Sequence, residues 1–252
     1  MKLSFRCFSQ RGVGKAHNED AVLLNGKVHQ GSVREHGVTD TAQPRYFAVA
    51  DGVSAGTHPR TASRRLLEVL QIRLAVANGS AGLGPILAHV QRDYAALAFD
   101  PAFNGMASTL VGARLFGTVT TIFNVGDSRA YLLTNGQARL LSRDHSLLSD
   151  MIDGGDITPA QAANAASFMR SLTSQFIADA EFDEFKVNTV THELQTGERL
   201  LLCSDGLDEA LNDSEIAELL AGNSDADLLN ACKASRRAGG LDDFSVIVLA
   251  LL

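Results

Sequence analysis

Acidic residues stand where apolar runs of this chain stop. Glu19-Asp20 closes a loop containing Gly14 and Lys15. Asp51-Gly52 ends the run Tyr46–Ala50, and Asp127 follows Thr121–Gly126. Asp205-Gly206 ends Leu200–Ser204, and Asp242-Asp243 precedes Phe244–Leu251. Buried strands deliver their ends to one edge of a sheet, so these carboxylates are expected to meet there. Gathered together they repel one another unless cations sit between them. An all-oxygen donor set suits Mg2+ or Mn2+. The chemistry expected of such a cluster is metal-dependent attack on an oxygen-rich, charged substrate, a phosphate ester above all. Taken one at a time, each Asp-Gly pair reads as a turn. The repetition at five run ends carries the argument, because the apolar residues before each acid draw it into partial burial, where an unpaired carboxylate is costly.

The elements that must position these acids follow from periodicity. Leu3–Phe8 and Asp20–Leu24 read as short strands, and Arg34–Pro44 as a polar loop before a strand at Tyr46–Ala50. Ala62, Leu66, Leu67, Leu70 and Leu74 form one stripe of a helix over Thr61–Val76. Ile86, Leu87, Val90, Tyr94 and Leu97 mark a second helix over Pro85–Ala98. Thr109–Phe116 and Thr118–Asn124 pair around Gly117, and Arg129–Thr134 and Gln137–Leu141 pair around Asn135-Gly136. A helical insertion follows, with Ser146–Ile152 as one helix and a second opening at Thr158-Pro159-Ala160-Gln161, a capping box with proline in the first turn. Strands return at Phe185–His192 and Arg199–Cys203. Two helices capped by Asn212 and Ser224 come next, and a last strand spans Phe244–Leu251. This order predicts a layered α/β (α+β) fold with mostly antiparallel sheets, not alternating βαβ units.

Bulk properties narrow the class. The 252 residues carry a formal net charge of −7 and 45% hydrophobic residues. No run approaches a membrane span, and Arg6 and Arg11 interrupt any signal-like apolar core near the N-terminus. Cys7, Cys203 and Cys232 have no metal-ligand spacing, so a cytoplasmic setting with reduced thiols is expected. His29, His36, His89 and His192 lack spacing partners for zinc. Gly14-Lys15 is not a P-loop, since Ala16 replaces the required Ser or Thr.

The order and wording of these segments resemble the PPM family of metal-dependent Ser/Thr protein phosphatases, also called type 2C, in its compact bacterial form. The resemblance runs through Ser9–Asp20, Phe47–Val53, Gly105–Leu110, Asn124–Tyr131, Leu141–Leu147, Leu202–Leu207 and Asp242–Val246. It implies two stacked antiparallel sheets with helices outside each, an αββα sandwich, with a helical flap at about 146–176. It implies a two-metal centre of Mn2+ or Mg2+ held by Glu19, Asp51, Asp205 and Asp242, with Asp51 bridging and the Gly52 carbonyl as a further ligand. Asp20 would hold water beside the metals, and Asp127 with Asp205 would serve a looser third ion. The implied reaction is hydrolysis of phosphoserine and phosphothreonine in proteins by direct attack of water, with no covalent phosphoenzyme.

Departures from the family pattern mark the substrate side. Lys15 stands where an arginine usually forks onto the phosphate; lysine keeps the charge and loses the bidentate geometry. The loop Val53–Arg60 replaces a glycine-rich stretch, and His58 and Arg60 are alternative phosphate contacts, against a plain loop role. Asp208-Glu209 replaces a usual Trp-Asp pair. The expected partners are phosphorylated proteins, among them a cognate Ser/Thr kinase or its targets, met by a monomer. A non-catalytic binding module would lack some of the principal acids, and a two-metal nuclease would carry a basic stripe.

Overall fold

A strand with apolar residues on both faces needs cover on both faces, and this condition builds the layers. The computed structural model describes residues 1–76, 82–162, 166–181, 185–222 and 224–252. The first strands are β1 (Lys2–Gln10), β2 (Ala21–Leu24), β3 (Lys27–Gln30), β4 (Val33–Asp40) and β5 (Arg45–Ala50). Helices α1 (Pro59–Val76) and α2 (Leu83–Ala95) follow, then β6 (Ala107–Ser108), β7 (Leu110–Phe116), β8 (Val119–Val125), β9 (Arg129–Thr134) and β10 (Gln137–Leu140). The insertion holds α3 (Leu147–Gly154) and α4 (Pro159–Ala162). The remainder is β11 (Phe176–Ile177), β12 (Asn188–Glu193), β13 (Arg199–Cys203), α5 (Asp205–Asp208), α6 (Asp213–Leu219), α7 (Asp225–Arg237) and β14 (Phe244–Leu251).

Two antiparallel sheets result, ordered β10-β9-β13-β14-β1-β4 and β12-β8-β7-β5-β2-β3. Alternation assigns each side chain to a layer. Val22, Leu24, Phe47, Val49, Ile247, Leu249 and Leu251 pack between the sheets. Their neighbours Ala21, Leu23, Ala48 and Ala50 face α1 and α2, where Leu66, Leu67, Leu70, Leu87 and Tyr94 cover them. Val246 and Val248 turn the other way, onto the Ile216, Leu228 and Ala231 face of α6 and α7. The helix–sheet–sheet–helix sandwich expected from the sequence is thus the structure found, with the α1 stripe Ala62, Leu66, Leu67, Leu70 and Leu74 buried as predicted.

Three expectations are corrected. The polar stretch Arg34–Pro44 is not a loop: Val33–Asp40 pairs along β1 from Lys2↔Asp40 to Ser9↔Val33. It is an edge strand, so backbone pairing holds residues whose side chains mostly face water. Gly37 lies under Phe5, where a Cβ would stand 2.8 Å from the ring. Second, the strand expected at Phe185–His192 begins only at Asn188. Third, α2 ends at Ala95 and tightens into a 3-10 turn over Ala96–Phe99. One hairpin signal was also missed. Asn25 (φ 48°) and Gly26 (φ 86°) are both left-handed and turn β2 into β3, as Asn135 and Gly136 turn β9 into β10.

The insertion behaves as a flap tied at its base. Ser146 caps α3, Gly155 ends it in the left-handed conformation, and Leu147 N–H and Thr173 N–H bond to Ser171 and His145 carbonyls. The expected capping box at Thr158 forms, with Gln161 reaching back to the Thr158 N–H at 2.8 Å. The continuation of that helix beyond Ala162 falls on residues 163–165, outside those described. Phe176 is fully buried against Tyr94 and Phe185, whereas Phe168 stays 62% exposed.

Leu249 contributes to the inter-sheet layer with no solvent exposure. Leu249→Ala should lower the unfolding free energy by about 2–5 kcal/mol, the range for deleting a buried leucine side chain. Urea denaturation monitored by circular dichroism measures it; a loss well under 1 kcal/mol would show that the layers are not tightly packed.

Candidate active site

Antiparallel pairing brings the β1, β13 and β14 ends and the β2, β5 and β8 ends to one edge of the sandwich. Close backbone approaches fix the two Asp-Gly turns there. A Cβ on Gly52 would stand 2.0 Å from the Pro59 carbonyl oxygen, and one on Gly206 1.9 Å from that of Asp243. Glycine is therefore required beside Asp51 and Asp205 because another strand or helix start passes directly over it.

Each carboxylate is tied into this edge by its own backbone. Thr109 donates its N–H to the Asp51 carbonyl at 2.9 Å and accepts the Asp51 N–H at 3.2 Å. Ser63, on the first turns of α1, donates to the Glu19 carbonyl. Asp20 is completely buried, and one of its oxygens accepts from Ser204 Oγ at 2.8 Å. Ser204 in turn accepts the Ser245 N–H at 3.1 Å, while Ser245 Oγ meets Ser9 Oγ at 2.7 Å, so β1, β13 and β14 share one hydroxyl cluster beneath Asp20.

The electrostatics are those of acids crowded together. Burial pushes Asp51 well above the ordinary carboxylate range, and Asp20, Asp205, Asp242 and Asp127 add their repulsion. Asp205 is raised likewise by burial, then by Asp127 and Asp242. Burial carries Asp20 to about 7 and Asp127 to about 6. Asp20 Oδ1 and Asp205 Oδ1 are buried with no hydrogen-bond partner among the described residues. Buried carboxylate oxygens are rarely left so, and an oxygen-binding cation is what such atoms suit. The donor set of Glu19, Asp51, Asp205, Asp242 and the Gly52 carbonyl is therefore of the right type. Among the described residues, however, no three acidic, His or Cys side chains already converge on one metal position.

Lys15 sits among three of the acids. Its ammonium donates to Glu19 Oε2 at 2.8 Å, to Asp243 Oδ2 at 3.0 Å and to Asp242 Oδ1. Burial works against its charge, but the hydrogen bonds to Asp242, Glu19 and Asp243 raise its pKa further than burial lowers it. The structure thus brings Lys15 into the acidic cluster. His58 and Arg60 stand apart from it. His58, left-handed at φ 48°, is exposed, and its carbonyl accepts the Thr61 and Ala62 N–H groups at the start of α1. Arg60 is exposed and lies 3.4 Å from Gln30 Oε1.

Beyond Asp127 the site opens under the flap into a cavity of about 180 Å3. Asp127, Asp205, Glu209 and the flap residue Arg170 line it. Its floor is an ion-pair network that sequence reasoning did not anticipate. Arg129 binds Asp144 at 2.6 Å and Asp208 at 2.7 Å. Burial still pushes Asp208 up to about 7 despite that arginine. The buried His145 is structural: it accepts the Gly126 N–H at 3.0 Å beside Asp127. Asp243 was also passed over, although its place next to Asp242 was visible. It is fully buried and takes the N–H groups of Gly12 and Glu19 at 2.6 and 2.9 Å.

Comparison with known proteins agrees with this geometry. The chain is 28% identical over 254 residues to the Ser/Thr protein phosphatase PstP of Mycobacterium tuberculosis, covering 98% of this chain and 44% of that protein. It therefore spans less than half of that relative's length. The crystal structure of the Mycobacterium tuberculosis phosphatase PstP/Ppp superposes with a TM-score of 0.78 at 26% identity, over 100% of this chain and 99% of the other. A second structure, the PstP catalytic domain in complex with two manganese ions, gives a TM-score of 0.73 at 25% identity over 99% of each chain. The protein phosphatase 2C family model matches residues 23–237, which include Asp51, Asp127 and Asp205 and stop short of Glu19 and Asp242. With that match over most of its length, the chain belongs to the protein phosphatase 2C family.

Proposed function

We propose that this chain is one metal-dependent phosphatase domain that hydrolyses phosphoserine and phosphothreonine in proteins. The observation that carries the reading is the cluster of mutually repelling, largely water-shielded carboxylates at one edge of the sandwich, with orphaned oxygens on Asp20 and Asp205. Family membership and the manganese complex of a similar domain support it. Glu19, Asp51, Asp205, Asp242 and the Gly52 carbonyl would hold two ions, Mn2+ or Mg2+, and Asp127 with Asp205 a third. When bound, the metals supply positive charge that activates water and stabilises charge developing on the phosphoryl oxygens.

The chain's own groups do the rest. Asp20 is buried beside the cluster and can hold a water there. Lys15, His58 and Arg60 are the candidates for the substrate phosphate. No covalent phosphoenzyme is invoked: Cys7, Cys203 and Cys232 are buried, and burial raises each thiol's pKa, leaving it inert. Among the described residues no helix is long and apolar enough to cross a membrane. We place the domain in the cytoplasm as a monomer acting on phosphorylated proteins, including a Ser/Thr kinase or its targets.

Phosphate release from a phosphothreonine peptide should stop in chelator and return with Mn2+ or Mg2+. Asp51→Asn and Asp205→Asn should each lose about 100-fold or more in turnover, the scale of losing a principal electrostatic group at the reacting centre. Full activity of the metal-free protein, or wild-type turnover in Asp51→Asn with native circular dichroism, would sink the proposal.

Metal removal has a further signature in stability. Asp51, Asp205, Asp20 and Asp127 are raised in the folded state, so between the unfolded value of about 3.9 and their folded values the native chain binds more protons than the unfolded one. Stability of the metal-free protein should therefore fall as pH rises from about 4 to about 8. Asp51→Asn should flatten that slope and raise the metal-free Tm at neutral pH. Thermal melts in chelator across pH measure both, and a Tm that climbs with pH would contradict the assignment.

A further inference from the structure

An ammonium has three N–H donors and no acceptor, and Lys15 directs all of them onto carboxylates. Two of its partners, Glu19 and Asp242, are residues proposed above to hold metal. The third, Asp243, is not available for that role. It has no exposure, its Oδ1 takes the Gly12 N–H, and its Oδ2 takes the Glu19 N–H as well as Lys15. Lys15 therefore bridges two carboxylates that a metal would need and one that it would not.

The backbone beneath Lys15 is fixed. Val13 N–H bonds to the Leu241 carbonyl at 2.8 Å, and Arg236 joins the Asp242 and Arg11 carbonyls at 2.6 and 3.3 Å. A Cβ on Gly12 would stand 2.5 Å from the Leu241 oxygen, so the two segments run in direct contact. What can move is the flexible four-carbon stem of Lys15, which carries a compact point charge.

We infer that Lys15 is an internal counter-ion that competes with a divalent cation for Glu19 and Asp242, and that Asp243 is the positioning residue that retains the displaced ammonium at the rim of the site. This rests on the two-metal reading above. When Glu19 and Asp242 are given up to metal, two N–H groups of Lys15 become free while Asp243 keeps the side chain in place. Lys15 is then presented to the substrate phosphate only in the loaded protein. Removing its charge leaves Glu19 and Asp242 uncompensated, so metal should bind more tightly to a Lys15 variant that is neutral.

The test is calorimetric titration of Mn2+ into chelator-stripped wild type, Lys15→Met and Lys15→Arg. Lys15→Met should bind Mn2+ about tenfold more tightly, equivalent to about 1.4 kcal/mol. It should also show a lower metal-free Tm. Lys15→Arg keeps the cation and should show no such gain. Equal or weaker binding by Lys15→Met with native circular dichroism overturns the inference and leaves the metal reading standing. Failure of every protein, wild type included, to bind Mn2+ overturns both. Should Lys15→Met not fold without metal, amine acetylation of the wild type read by mass spectrometry decides. Lys15 should label faster once Mn2+ is added, and unchanged or slower labelling counts against displacement.

Discussion

Carboxylates held close together at low solvent exposure repel one another, and the arrangement of this protein's catalytic edge is a set of answers to that repulsion. Asp51 and Asp205 are pushed far above ordinary carboxylate behaviour by burial and by the acids around them. Nothing in local sequence preference would keep them there. They stay because the strands that end in them are buried on both faces, between the sheets on one side and under helices on the other. The free energy of the layers holds the acids in place, and the acids in turn make the edge unfavourable until positive charge arrives.

That constraint explains the local devices around the edge. Gly52 and Gly206 let other backbone segments pass within contact distance of Asp51 and Asp205. Ser63 ties the start of α1 to Glu19, and Ser204, Ser245 and Ser9 knit three strands below Asp20. Small hydroxyl side chains are suited to this work: they satisfy backbone and carboxylate atoms without adding charge to a crowded site. The flap contributes no strand to either main sheet, and the sandwich positions the acids without it.

Much of this was legible in the sequence because it follows from periodicity. The α1 stripe, the Asn135-Gly136 hairpin, the two capped C-terminal helices and the acids at run ends all rest on local pattern, and each is where it was expected. Residues 33–40 were misread because an edge strand needs only backbone pairing, and Arg34, Glu35 and His36 offer no apolar alternation to reveal it. Asn25-Gly26 carried a usable hairpin signal that was overlooked. The ion pairs were illegible for a different reason. Lys15 meets Asp243 across 228 residues of chain, and Arg129 meets Asp208 only once β9 and α5 share an end. Spacing says nothing about such pairs, and their partners are chosen by topology.

The two cations inside the acidic edge differ in kind, and the difference divides the site. Arg129 forks onto Asp144 through Nε and Nη2 while its Nη1 reaches Asp208 and the Tyr131 hydroxyl. A planar guanidinium used on several of its donors at once is a fixed strut, and removing it would strand two buried carboxylates. Lys15 presents a point charge at the end of a flexible stem, with single contacts to each of three acids. A strut is suited to the flap side, where Asp208 and Asp144 need permanent cover. An exchangeable charge is suited to the side where Glu19 and Asp242 must change partners. The same chemistry, carboxylate against cation, is thus made permanent on one side and replaceable on the other by the choice of arginine or lysine.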